Sequence, residues 1–79
     1  MKQIKVLGSG CRNCDLTARV IEKQAEALGV EVAVDKVTDV AEILAYGVLR
    51  TPGVVVDGEV VHAGSVPDGR TARLWLQED

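Results

Sequence analysis

Seventy-nine residues, 47% hydrophobic and 27% charged, are those of one folded domain spanning the whole chain, with a modest core because so short a chain buries only about 60–65% of its unfolded surface. A net charge of −3 with no cluster of lysine and arginine argues against nucleic-acid binding, and no apolar run reaches the roughly 20 residues that span a membrane. With no Phe, one Trp and one Tyr, the core must be aliphatic, chiefly valine.

Lys2 to Leu7 reads as strand one, Ile4 and Val6 alternating with Lys and Gln. Lys5 interrupts any apolar core of a signal peptide, so the chain is expected to be cytoplasmic, where closely spaced cysteines are more often catalytic or metal-binding than a permanent staple. Gly8-Ser9-Gly10 supplies a turn, and Cys11-Arg12-Asn13-Cys14 holds the two cysteines of the chain. Two cysteines placed at random would fall at this spacing about one time in forty. Three positions apart in a first helical turn, their sulfurs share a face and can bridge. So short a loop adds little to stability when closed, which points to a chemical use. The helix start carries about half a positive charge and stabilises a thiolate by about 1–2 kcal/mol, on the order of one pKa unit. That moves a thiol from about 3% ionised at pH 7 to about half. Exposed Arg12 adds a few tenths of a kcal/mol at most, because water and salt screen it. Cys11 is therefore expected to be the attacking nucleophile, and Cys14, one turn in, the resolving thiol.

The helical pattern runs from Asp15 to Leu28, with Ala18, Ile21, Ala25 and Leu28 in the same stripe as Cys14, and Leu16, Val20 and Ala27 widening it. Asp15 and Arg19 form an i, i+4 pair, and Gly29 is the left-handed cap. Strand two is the Val-rich run from Glu31 to Val37. Thr38 or Asp39 caps helix two, Asp39 and Glu42 matching a capping box, with Val40, Ile43 and Leu44 as its apolar stripe and Gly47 as its stop. Pro52 must open a strand or form a special turn, and Gly53 to Val56, apolar throughout, reads as strand three, buried on both faces. Asp57-Gly58 signals a two-residue hairpin into strand four, Glu59 to Ala63. Asp68 caps a last helix through Leu74, Trp75 and Leu76, and Gln77-Glu78-Asp79 is a frayed tail. The order β-α-β-α-β-β-α is an α/β fold. Right-handed helical crossovers are expected to make strands one, two and three parallel, with strand four antiparallel at an edge. The simplest four-stranded mixed sheet has order 2-1-3-4, helices one and three on one face and helix two on the other.

Taken together, Gly8-Ser9-Gly10-Cys11-Arg12-Asn13-Cys14, Tyr46-Gly47-Val48, Thr51-Pro52 with Val54-Val55-Val56-Asp57-Gly58, and Gly64 with Val66-Pro67 resemble the small glutaredoxin-like, thioredoxin-fold redox-active disulfide proteins of bacteria and archaea. The resemblance covers nearly the whole chain. It implies a thioredoxin-like fold and a cis Thr51–Pro52 bond beside the cysteines. It also implies substrate-binding positions at Thr51, Pro52, Arg12 and Gly64. A cis X–Pro bond costs only about 0.5–1 kcal/mol and would leave the Thr51 backbone open to an extended substrate segment. The residues between the cysteines are Arg12-Asn13, not the Gly-Pro of thioredoxins or the Pro-Tyr of glutaredoxins, and Gly64 to Gly69 matches only loosely the motif with which glutaredoxins hold glutathione.

The chemistry expected is thiol–disulfide exchange without a cofactor, reducing protein or small-molecule disulfides, with a disulfide-containing substrate protein and a separate reductase as partners, by a monomer. The rival is a soft-metal carrier, since two thiolates suit Cu(I). Heavy-metal-associated domains, however, carry Gly-Met-x-Cys-x-x-Cys and end on a strand, and Thr51-Pro52 has no role there. An iron–sulfur cluster bridging two copies is a lesser alternative, and a non-catalytic redox sensor a third. Zinc would need two further ligands, and the lone histidine, His62, is expected to be an ordinary strand residue. Trp75 is expected to pack its body against the sheet.

Overall fold

The computed structural model describes residues 1–8 and 12–77. The expected turn through Ser9 and Gly10, Cys11 itself, and the last two residues of the expected tail lie outside the described residues. In chain order the elements are β1 (Lys2–Leu7), α1 (Arg12–Leu28), β2 (Val32–Val37), α2 (Val40–Ala45), β3 (Gly53–Val56), β4 (Glu59–Ala63) and α3 (Gly69–Gln77). The sheet order is β2-β1-β3-β4, as the pattern predicts. Helix α1 begins three residues ahead of the expected Asp15, β2 begins one residue after Glu31, and Gln77 belongs to α3 instead of a frayed tail.

Local signals act where they are read. Gly29, at φ 69°, turns the chain out of α1, and the Val30 amide donates to the Ala25 carbonyl at 2.9 Å, closing the helix end. Of the two candidate caps for α2 it is Asp39 whose side chain accepts from the Ala41 amide. Asp57 and Gly58 both have positive φ, the conformation of a tight hairpin whose twist matches its strands. Asp57 also exchanges two hydrogen bonds with Gln3, each 2.8 Å, tying the hairpin to the start of β1.

One expectation about direction fails. β1 and β2 are parallel, but β3 runs antiparallel to β1, so strands one, two and three are not all parallel. The reason is length. Six residues of α2 rise only about 9 Å, whereas six residues of strand extend about 20 Å. So short a helix does not carry the chain back along the sheet. β3 starts at the end where β2 finished, with Val37 beside Leu7 and Leu7 beside Gly53. Continuous valines in β3 do mean burial on both faces, as expected: Val54 joins one core and Val55 the other. The β3–β4 ladder shifts register between Val54 and Val55, a bulge with no sign in the sequence.

The two cores are unequal. Under α1 and α3 lie Ile4, Val6, Cys14, Ala18, Ile21, Ala25, Val54, Ala72 and Leu76, with Trp75 packed against them. Under α2 lie Leu7, Val37, Ile43, Val48 and Val55. The helices thus divide between the faces as expected. The predicted stripe of α2 is wrong in two of three positions, since Ile43 is buried while Val40 and Leu44 are 61% and 54% exposed. A six-residue helix presents barely one inward position per turn. Leu16 and Ala27 are likewise exposed, and the sequence reading omits Thr17, which is fully buried. Among the described residues Asp15 pairs with Lys36 of β2, not with Arg19 as expected. That hydrogen bond and the ammonium charge hold the Asp15 carboxyl below the usual range. No helix among the described residues is long and apolar enough to cross a membrane.

Candidate functional site

The site forms at the end of the sheet where β1 stops. Gly8 follows Leu7, is buried, and donates its amide to the Val37 carbonyl at 2.9 Å, so β1 is still tied to β2 as it ends. Helix α1 then brings Cys14 back over the strand it left. Cys14 is 2% exposed and belongs to the main core, at the head of the stripe that continues through Ala18, Ile21 and Ala25. The Thr17 hydroxyl donates to the Asn13 carbonyl at 2.7 Å, bracing the turn that carries the sulfur.

Space is tightest between these two elements. A Cβ placed on Gly8 would collide with Cys14 Sγ and would lie 3.4 Å from Cys14 Cβ and 3.6 Å from Thr51 Cβ. Gly8, Cys14 and Thr51 therefore converge on one point. The Thr51–Pro52 bond is cis, and Pro52 is buried while Thr51 is exposed. The Pro52 carbonyl accepts from the Gly64 amide at 2.9 Å, which fastens the loop after β4 to the proline. A Cβ on Gly64 would touch the stem of Arg50, the residue before Thr51.

Of the site residues expected from the sequence, the structure brings Cys14, Thr51 and Pro52 together and attaches Gly64 through Pro52. Arg12 is exposed at the first position of α1. Cys11 precedes Arg12 in the sequence and lies outside the described residues. Sequence reasoning treats Gly8 as part of a turn and overlooks that its missing side chain is the space filled by Cys14 Sγ. The signal available was a glycine placed directly after a strand and six residues before a core-facing cysteine.

The remaining polar groups lie elsewhere. His62, in β4, shares a hydrogen bond of 3.0 Å with Ser65 Oγ, and its ring stands 5.7 Å from that of Trp75. Trp75 thus packs from α3 onto the sheet, as expected. On the α2 face an open cavity of about 230 Å³ is lined by Lys5, Glu42, Ala45 and Tyr46. There the Tyr46 hydroxyl, accepting from Lys5 at 3.2 Å, raises the lysine's proton affinity, helped by Glu42 and Asp35. This cavity lies under α2, whereas Cys14 belongs to the core under α1 and α3.

Comparison with known proteins agrees with this geometry. A family model described as a thioredoxin domain matches residues 2–77. A thioredoxin of Methanocaldococcus jannaschii is 40% identical over 67 residues, which are 85% of this chain and 77% of that protein. A thioredoxin of Methanothermobacter thermautotrophicus is 32% identical over 66 residues, 84% of this chain and 86% of that protein.

Proposed function

The chain belongs to the thioredoxin-domain family, whose members support a general role in thiol–disulfide redox chemistry, and from that premise we propose that it is a thiol–disulfide oxidoreductase in which Cys11 attacks and Cys14 resolves. The observation that carries this reading is the burial of Cys14 Sγ against Gly8, beside the cis Thr51–Pro52 bond. With Cys14 only 2% exposed as a residue, its sulfur is kept from a disulfide on another protein. It can meet one formed three residues away in its own chain. Cys11 precedes the amino end of α1, whose partial positive charge favours a thiolate.

In the reaction the Cys11 thiolate attacks one sulfur of the substrate disulfide, the substrate S–S bond breaks, and the first substrate sulfur leaves as thiolate. Cys14, losing its proton, then attacks the Cys11 sulfur of the mixed disulfide. The Cys11–substrate bond breaks, the Cys11–Cys14 bond forms, and the second substrate sulfur leaves with the electron pair. Two electrons pass to the substrate, and a separate reductase returns the dithiol. Thr51, an exposed residue, would offer its backbone hydrogen-bonding groups to an extended substrate segment, Pro52 and Gly64 hold that loop in place, and Arg12 adds a weak, screened attraction for the thiolate or for an acidic substrate. The partner is a disulfide-containing protein, the protein acts as a monomer, and the chemistry suits a reducing compartment such as the cytoplasm.

The test is trapping. Cys14→Ser should accumulate the mixed disulfide with a substrate protein and turn over at least 100-fold more slowly, and Cys11→Ser should be inert. Full disulfide-reductase activity in Cys11→Ser would remove Cys11 from the role of nucleophile. Mass-detected redox titration with and without Cu(I) separates the rival carrier, which should bind copper at picomolar levels without cycling. A redox sensor, in contrast to an enzyme, would react once with an excess of disulfide.

A further inference from the structure

We propose that Gly8 is a positioning residue for the resolving sulfur: the missing side chain at the end of β1 is the pocket in which Cys14 Sγ sits. The proposal rests on the assignment of Cys14 as the resolving thiol. Gly8 is not one of the glycines with positive φ, so its backbone conformation does not demand glycine. Space does. A Cβ at position 8 would overlap Cys14 Sγ, with Cys14 Cβ at 3.4 Å and Thr51 Cβ at 3.6 Å completing the wall.

The surroundings of this pocket are held from three sides. The Gly8 amide is bound to the Val37 carbonyl at 2.9 Å, so the end of β1 cannot withdraw without breaking a buried hydrogen bond. Helix α1 is locked through Ala18, Ile21 and Ala25 in the main core. Thr51 is followed by buried Pro52, whose carbonyl is fixed by the Gly64 amide at 2.9 Å. The atom nearest the added methyl is Cys14 Sγ, the far end of a side chain, whereas the walls behind it are a strand end and a core helix. A methyl group at position 8 should therefore drive the sulfur out of its place by a full rotamer step, leaving the strand and the helix where they are.

The chemical consequence falls on one step. The first attack, by Cys11 on the substrate disulfide, does not use Cys14. The second does: Cys14 Sγ must approach the Cys11 sulfur of the mixed disulfide in line with the bond to the substrate, which then leaves as thiolate. Displacing a reacting atom by about 1 Å can cost on the order of 100-fold in rate. Gly8→Ala should thus separate the two halves of the exchange.

The probe is 5,5′-dithiobis(2-nitrobenzoate), which reports each step by release of one coloured thiolate. In wild type the first release follows attack by Cys11 and the second follows resolution by Cys14. Gly8→Ala is expected to keep the first phase within about 3-fold and to slow the second by about 10–100-fold. A folded Gly8→Ala protein with both phases at wild-type rates would overturn the proposal. A second measurement needs no redox chemistry. Gly8→Ala should lower the Tm by about 5–15 °C when Cys14 is present and far less in a Cys14→Ala background, where the colliding sulfur is gone. Equal losses in both backgrounds would show that Cys14 Sγ is not what position 8 makes room for. If wild type gives no second phase, the resolving role of Cys14 fails and the positioning role with it, while the Tm cycle still reports whether the two residues share one space.

Discussion

The two cores should fail differently when each loses its central isoleucine. Ile21 is fully buried midway along α1, between the sheet and α3. Replacing it with alanine removes three carbons, worth about 2.4 kcal/mol at about 0.8 kcal/mol each. Walls on the strand side and the α3 side hinder collapse, so a cavity term brings the loss to about 4 kcal/mol. For 79 residues the unfolding entropy near the midpoint is about 0.17 kcal/mol/K, so each kcal/mol moves the Tm by about 6 °C. Ile21→Ala should therefore lower the Tm by about 20 °C or more, a large part of a total stability of about 4–12 kcal/mol. Ile43 is 6% exposed beneath a six-residue helix whose Val40 and Leu44 face solvent. There α2 can settle onto the sheet, and the loss for Ile43→Ala should stay near the lower limit, about 2 kcal/mol. Thermal melts and urea titrations read both changes, with the urea m-value unchanged if each variant unfolds in one step. A loss for Ile43→Ala equal to or greater than that for Ile21→Ala would refute the ranking of the two faces.

Further outcomes follow from single hydrogen bonds. Thr17→Val keeps the buried volume but removes the hydroxyl that donates to Asn13, and should cost about 1 kcal/mol by urea midpoint; a loss above about 3 kcal/mol would mean that the hydroxyl holds more than this turn. Asp68 accepts from the Thr71 amide at 2.8 Å, and that backbone hydrogen bond lowers its proton affinity in the folded state. The unfolded chain then binds the proton more readily, so this contribution is complete above the unfolded carboxyl pKa, about 4, and is lost as pH falls further through the folded value. Asp68→Asn retains a capping oxygen but no titrating group, so its Tm near pH 7 should stay close to wild type and its decline below about pH 4 should be shallower. An acid limb identical to that of wild type would remove Asp68 from the cause, and the slope remaining in the variant is where the Lys36-paired Asp15 contributes in the same direction.

What the sequence by itself determines here is what neighbours along the chain decide. The stripe from Cys14 through Ala25, the stop at Gly29, the Asp57-Gly58 hairpin and the caps at Asp39 and Asp68 are each set by residues within about a turn of one another, and each forms as read. The strand order and the sharing of helices between faces follow from the spacing of these elements. Residue type and family resemblance mark the cysteine pair and Thr51-Pro52 in the sequence, and of these the structure brings Cys14, Thr51 and Pro52 together. Only the tertiary structure decided the direction of β3, because that depends on whether a short helix can span the sheet, a comparison of lengths across two elements. It alone decided that Val40 and Leu44 face water, since apolar residues bury only where something covers them. It alone revealed why position 8 is glycine. The sulfur that fills its missing side chain comes from the next element, and an empty volume shared by two elements has no spelling in either one.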